Sequence, residues 1–457
     1  MSAATEALPV TAESLEEAAG FSAPVAVDYY DSSSGKYLVR HARGQWLAHD
    51  TYSYKRILRS RGIREGGAKG SALDECDLAI LDVQDHRAVS YHGALCGRNS
   101  GMITEHGRRI LVTEDMVLPE PRQGEWETLM GFLKCLFWHG ETQVIGDLQM
   151  ATFFGWMQSS VRALREGRLQ QQQALAICGR ADCGKSLLQH LITKMLGGRS
   201  AKAERYFSGR TEFNADVFAA EHLILEDNYA STKIGDRLKL GASLKEHCVG
   251  TASASLHAKG RNAINLRPWW RVSITLNDDP EAMMILPPLD DQMADKLILL
   301  RASRYQFPMP VGTLEEKHAF HEQLVAEIPA FLHYLLHEYE LHKAASDPRR
   351  YHVKTFHHPE LKESLESLSP EMALLDLMDA AFRGRYGRKE RLELTAVDIE
   401  AMLKEYDGRS TDRLLRFRTA CGAYLGRLAK QKPERVSTRR ASGARLWLIS
   451  PPGKSEK

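Results

Sequence analysis

The sequence lacks the features that would place it in a membrane or an oxidising compartment. No apolar run in its 457 residues approaches the roughly 18 needed to cross a bilayer, so no membrane association is expected. The first residues are acidic and Ala-rich, without the basic start and apolar stretch of a secretory leader. Seven cysteines (Cys76, Cys96, Cys135, Cys178, Cys183, Cys248, Cys421) are an odd number, none stands in CxxC spacing, and no Cys/His cluster has zinc-ligand spacing. A reducing cytoplasm is therefore expected. There is no internal repeat, and the Gln170 to Gln173 run is too short to count as low complexity.

What is present is ordinary globular composition. Apolar residues make up 43% and charged residues 26%, which excludes a disordered or collagen-like chain. At roughly 150 residues per domain the length suggests about three domains. Residues 1–23 read as a disordered tail. Residues 24–120 read as a small α+β unit, with two strands in 25–46, a short helix ending near Gly62, and short apolar runs between Gly and charge over 73–118. Residues 121–170 carry apolar residues at helical spacing and read as a helical collar. From there to residue 345 strands and helices alternate (ALAICG, KSLLQHLITKML, HLILEDN, RVSITLN), the order of a parallel α/β sheet, followed by a helical segment over 313–342. Residues 343–360 read as a polar linker.

Residues 179–186, Gly-Arg-Ala-Asp-Cys-Gly-Lys-Ser, fit GxxxxGK[ST] in full, after an apolar strand and before a helix. Glycines let backbone N–H groups turn onto phosphates, and the helix N-terminus adds positive potential. The loop predicts ATP and Mg²⁺ as cofactors. Gly179, Asp182, Cys183, Gly184, Lys185, Ser186 and Leu187 contact the nucleotide, Lys185 reaches the β- and γ-phosphates, and Ser186 ligates the metal. Asp182 is a carboxylate in an anion-binding loop and must point away from the phosphates. About 40 residues on, an apolar strand ends in Glu226 and Asp227; Glu226 is assigned to the metal and Asp227 to the attacking water. Asn277 ends a third strand and is the candidate γ-phosphate sensor, although Asn-Asp-Asp-Pro is also a good turn sequence.

Between the acidic strand and Asn277 lie Leu244-Lys245-Glu246-His247, Val249-Gly250-Thr251 and Leu256-His257-Ala258-Lys259-Gly260-Arg261. With Leu196 to Arg199, Phe213-Asn214 and Arg267 to Arg271, this order resembles the superfamily 3 helicases among AAA+ ATPases, in the phage and plasmid primase-helicase C-terminal type. The resemblance covers roughly residues 120–340. It implies a P-loop AAA+ core over 171–345 with a helical lid, a homohexameric ring, and action on single-stranded and duplex DNA in a bacterial or phage-infected cell. Lys259 matches the pore-hairpin lysine, flanked by His257 and Arg261; Lys-Gly-Arg at a turn also suits phosphate contact. The residue reaching a neighbour's nucleotide is left open among Lys296, Arg301 and Arg304, with arginine the better chemistry.

Residues 383–445 hold 17 Lys/Arg against 8 Asp/Glu, a surplus of nine in a chain of net charge +2. Helices expected at 371–383, 395–406 and 413–430, followed by two short runs, give residues 361–457 the order of a winged helix. A basic unit of that kind points to DNA. Arg413, Arg416, Arg427 and Lys430 fall on the expected recognition helix, and Arg439 and Arg440 on the expected wing. A primase needs an acidic metal cluster on a larger sheet, and Asp77, Asp82, Asp85 and His86 are the sole candidates. Any primase or polymerase is thus expected on another chain. The leading expectation is a DNA helicase; the alternatives are an ATP-switched origin-binding or loading protein that does not unwind, and a small-molecule kinase.

Overall fold

A computed structural model describes residues 27–66, 73–170, 172–226, 234–249, 253–290, 292–367, 369–381, 391–441 and 444–451. Its contacts divide the chain into two units. One comprises Met1–Gly93, Asn99–Asp115 and Gly260–Ile264, the other Ala94–Arg98, Met116–Lys259 and Asn265–Lys457.

The first unit grows from a Ser/Gly turn at which Gly35 takes φ +68°. The turn pairs β1 (Tyr29–Asp31) antiparallel with β2 (Lys36–Arg40), β2 pairs with β3 (Trp46–His49), and β4 (Ala88–Val89) joins β1 in parallel. Helix α1 (Thr51–Ser60) starts at Asp50, whose carboxylate accepts from the Ser53 N–H at 2.7 Å. Residues 75–86, expected as part of a β-containing stretch, instead form helix α2 (Glu75–His86). Its start carries a capping box between Asp74 and Asp77, and Cys76, Ile80 and Val83 at helical spacing enter the core. There they meet Tyr37 and Tyr54, stacked 4.3 Å apart. Strands β5 (Tyr91–Gly93), β6 (Gly101–Glu105) and β7 (Arg108–Val112) make a second sheet, in the order β5-β7-β6.

In the second unit the expected collar is two helices, α3 (Glu127–Phe137) and α4 (Gln143–Arg165). The central sheet contains β8 (Ala174–Gly179), β9 (Ser200–Lys202), β10 (His222–Glu226), β13 (Arg271–Leu276) and β14 (Leu297–Ala302), all parallel, in the order β14-β8-β13-β10-β9. Strands β8 and β13 are buried along their whole length; β8 is apolar throughout, as a sheet covered on both faces favours, whereas β13 also buries Arg271, Ser273 and Thr275. Helix α5 (Lys185–Met195) follows β8, and β11 (Ala254–Leu256) and β12 (Ile264–Leu266) form a separate two-stranded sheet. Helix α6 (Leu314–Ala326) opens on a capping box between Thr313 and Glu316.

The polar stretch 343–360 is not a free linker. Strands β15 (Ser346–Asp347) and β16 (His352–Val353) pair there, and the chain then runs along β14. Leu299 donates its N–H to the Phe356 carbonyl and accepts from the His358 N–H, both at 2.9 Å. Strand β14 is the sheet's outer strand, and these bonds satisfy groups it would otherwise leave bare.

The last segment has its own core of Leu374, Met378, Ile399, Leu403, Leu425, Leu428, Val436 and Trp447. Helix α7 (Pro370–Ala381) leads to β17 (Leu392–Leu394), helix α8 (Ala396–Leu414), helix α9 (Ala420–Gln431), β18 (Val436–Ala441) and β19 (Ala444–Ile449), with the sheet order β17-β19-β18. Two expectations change. A short strand stands between the first and second helices, and the helix expected over 413–430 is broken at 415–419. Asp407 interrupts α8 at φ −147°, ψ 87°. Arg413 and Arg416 therefore lie before α9, not on it.

Candidate functional site

The loop after β8 is shaped by two positions that exclude side chains. A Cβ on Gly179 would lie 2.1 Å from the Ala302 carbonyl oxygen of neighbouring β14, so only glycine lets the strands close there. Gly184 takes φ +101° as the cap of α5, and a Cβ on it would meet the Phe132 ring at 2.9 Å. Asp182 also adopts a left-handed conformation, at φ +58°, and is exposed. Cys183 is buried, and burial pushes its thiol up despite the nearby Lys185.

Lys185 is only 9% exposed. Its Nζ donates to the Gly179 and Arg180 carbonyls at 2.7 Å each and reaches Asn277 Oδ1 at 3.4 Å. The loop folds back around the ammonium. Ser186 is exposed beside it, and Leu187 is half-buried. Asn277 directly follows β13, which lies between β8 and β10 in the sheet. Glu226 ends β10 in register with Thr275, its carboxylate 2.7 Å from Lys202 Nζ. The ends of three neighbouring strands thus bring together the loop, Asn277 and Glu226, where open α/β sheets bind ligands. Asp227 lies outside the described residues.

A buried polar chain under this edge was not legible in the sequence. Thr193 on α5 meets His222 Nδ1 at 2.7 Å, and His222 Nε2 meets Ser273 Oγ at 2.8 Å. Gln189 donates to Ser273 Oγ at 2.9 Å and accepts from Thr275 Oγ1 at 3.1 Å. Together Thr193 and Gln189 tie α5 to β10 and β13. Burial pushes the His222 pKa down to about 3, so the ring is neutral.

Beside the loop a cleft of about 1010 Å³ is lined by Gly184, Lys185, Ser186, Arg304, Phe307 and Phe320, among others. The Tyr-Gln-Phe-Pro-Met-Pro run over 305–310 lines this cleft and belongs to none of the motifs named above. Arg304 is exposed at this cleft. Arg301 instead pairs with Glu141 at 3.4 Å and Glu360 at 3.0 Å of its own chain. Lys296 pairs with Asp295 at 2.5 Å.

The basic motif between the acidic strand and Asn277 divides. Asn214 brackets His257, accepting its N–H at 2.7 Å and donating its own N–H to the His257 carbonyl at 3.1 Å. Lys259 and Gly260 form an exposed turn. Arg261 is not exposed beside Lys259. Its guanidinium donates to the His92 carbonyl at 2.9 Å and lies 3.8 Å from Asp31. Burial would raise the Asp31 pKa, but hydrogen bonds from His92, Ser33 and Ser34 outweigh it and hold the carboxyl well below its usual range.

In the C-terminal segment Arg439 pairs with Glu393, whereas Arg440 is exposed. Arg427 reaches Glu371 at 3.5 Å and Arg435 reaches Asp379 at 2.5 Å. Among the described residues no group of three His, Cys, Asp or Glu is arranged to hold a metal, and no helix is long and apolar enough to cross a membrane.

No protein-family model matches the sequence, and no curated protein matches it. Among solved structures the chain is similar to the C-terminal region of NrS-1. One apo structure of that region gives a TM-score of 0.51 at 13% identity, covering 93% of this chain and 96% of that one. A second gives 0.51 at 12% identity, with the same coverage. A looser likeness, at TM-score 0.31 and 10% identity, covers 89% of this chain and 73% of SCCmec type IV Cch, an active helicase. The likeness to the NrS-1 region is one of fold, a mixed α/β chain built on a parallel sheet, and it runs nearly the whole length of both molecules.

Proposed function

We propose that this protein is an ATP-driven DNA helicase of the superfamily 3 AAA+ type, a hexameric ring that moves on single-stranded DNA and unwinds duplex during replication of a phage or mobile element. The observation that carries this reading is the approach of Lys185 to Asn277 at the edge where Glu226 also ends its strand. These groups have the chemistry a nucleoside triphosphate requires. A buried ammonium, an α5 N-terminus and glycines that admit close backbone approach fit a polyphosphate. The exposed Ser186 hydroxyl and the Glu226 carboxylate would hold Mg²⁺, with Glu226 leaving Lys202. Mg²⁺, when bound, would neutralise part of the polyphosphate's charge. Lys185 turns from the loop carbonyls to the phosphates, Asn277 orients the attacking water, and Asp227 takes its proton. Arg304, exposed at the cleft, is better placed than the paired Arg301 to serve a neighbouring subunit.

The exposed Lys259-Gly260 turn suits phosphate contact in a ring pore, and the last segment has the helix, strand, helix, helix, hairpin order of a winged helix. A primase or polymerase would act from a separate chain. The test is phosphate release and strand displacement by the intact protein with and without single-stranded DNA. Repeated strand displacement that depends on Lys185 and Lys259 supports the motor. ATP-dependent DNA binding without displacement replaces it with a loading protein. Asp227→Asn should bind ATP without splitting it; if Glu226→Gln does so and Asp227→Asn instead loses Mg²⁺ binding, the two acids exchange roles.

A further inference from the structure

The surplus of positive charge in the C-terminal segment is not spread evenly once its ion pairs are removed. Lys404 is held by Glu400 at 2.9 Å, Arg427 and Arg435 face Glu371 and Asp379, and Arg439 pairs with Glu393. Arg413, Arg416 and Arg418, by contrast, are exposed and form no ion pair among the described residues. They flank the break between α8 and α9. Asp412, the acid beside them, is turned to Lys404 at 3.5 Å.

Phe417 stands in the middle of these arginines and is 52% exposed. Leu415 and Ala420, on either side, are buried and anchor the turn. The Phe417 ring is braced edge-on by Tyr424 at 6.1 Å and 83°. Arg416 Nε donates to the Arg413 carbonyl at 3.0 Å, which lays its stem over the end of α8. An exposed phenylalanine alone is ordinary. One held by a neighbouring ring, in a turn and among three guanidinium groups that form no ion pair among the described residues, is a stacking platform inside a positive field.

We infer that the turn over 413–418 grips single-stranded nucleic acid, with Phe417 stacked on an unpaired base and Arg413, Arg416 and Arg418 on the flanking phosphates. A duplex hides its base faces, so an aromatic platform favours the single strand, and every base has a face to offer. The inference rests on the reading that this protein works on DNA, and it replaces α9 with the preceding turn as the gripping element.

The experiment measures binding by the full chain to a fluorescent oligothymidylate and to an abasic strand of the same length. Stacking is worth about 1–3 kcal/mol per base, so Phe417→Ala should weaken oligothymidylate binding at least about fivefold. It should leave abasic binding and the thermal midpoint unchanged. Phe417→Trp should keep the preference for bases. Arg416→Ala and Arg418→Ala should weaken both strands alike, each lowering the log–log salt slope by about 0.7. If Phe417→Ala binds both strands as the parent does, or weakens both strands alike, the inference is overturned while the DNA reading stands. If the parent binds no DNA at all, both fall.

Discussion

Lys185 and Asn277 are 92 residues apart in sequence, and their side chains meet at 3.4 Å. The contact joins the glycine-rich loop after β8 to the end of the adjacent strand, β13. Lys185→Met should remove nucleotide turnover, because it takes away the ammonium held between the loop carbonyls and Asn277. Asn277→Ala should keep nucleotide binding and slow turnover by about 10²–10³, the usual cost of one lost transition-state hydrogen bond. Steady-state phosphate release and equilibrium nucleotide binding separate the two effects. Normal hydrolysis by the Lys185 variant would remove the loop from the mechanism.

Gly179 is the position least tolerant of a side chain. Gly179→Ala sets a methyl against the Ala302 carbonyl and should cost about 1–3 kcal/mol, the range of overpacked cores. The thermal midpoint should fall accordingly. An unchanged midpoint would mean that β8 and β14 are not packed this closely.

His222 makes stability depend on pH. Its folded pKa is pushed down to about 3 by burial, below the ordinary value of about 6.5. The unfolded chain therefore binds the proton first, and this group's contribution, full above pH 6.5, declines as pH falls toward 3. One pH unit below 6.5 the loss is roughly 1 kcal/mol per such group. Burial also holds His190, His352 and His357 below their ordinary values, so His222→Asn should shrink the acid sensitivity without abolishing it. Urea midpoints at pH 7 and 5.5 test this. An undiminished drop in the variant would sink it.

Arg301 and Arg304 should separate structure from chemistry. Arg301→Ala leaves Glu141, which is buried, with one partner fewer and should lower the thermal midpoint. Arg304→Ala should leave the midpoint in place and lower turnover. Mixing the Arg304 variant with a Lys185 variant should then restore some hydrolysis at mixed contacts. Restoration by the Arg301 variant instead would reverse the assignment.

The strands and helices around the loop were legible because each carries its own pattern. ALAICG reads as a buried strand, the glycines and Lys185 as the loop, and KSLLQHLITKM as the helix, all within one local stretch. Helix α2 was harder, since Leu78, Ala79, Ile80 and Leu81 form an apolar run that fits strand or helix until a partner is known. The break at 415–419 was hidden for a similar reason: LLRFR continues the helical periodicity, and only the burial of Leu415 and Ala420 against a separate core ends it.

The sequence by itself determined the chemistry available at the sheet edge, because glycine conformations, an ammonium at a helix start and a polar strand end are local properties. Tertiary structure decided which charges remain free to act. Arg301, Arg261 and Arg439 read as exposed cations in the sequence, yet each is met by a carboxylate that lies 160, 230 or 46 positions away. Ion pairing depends on distances of a few ångströms, and residues so far apart reach those distances only when the chain has folded.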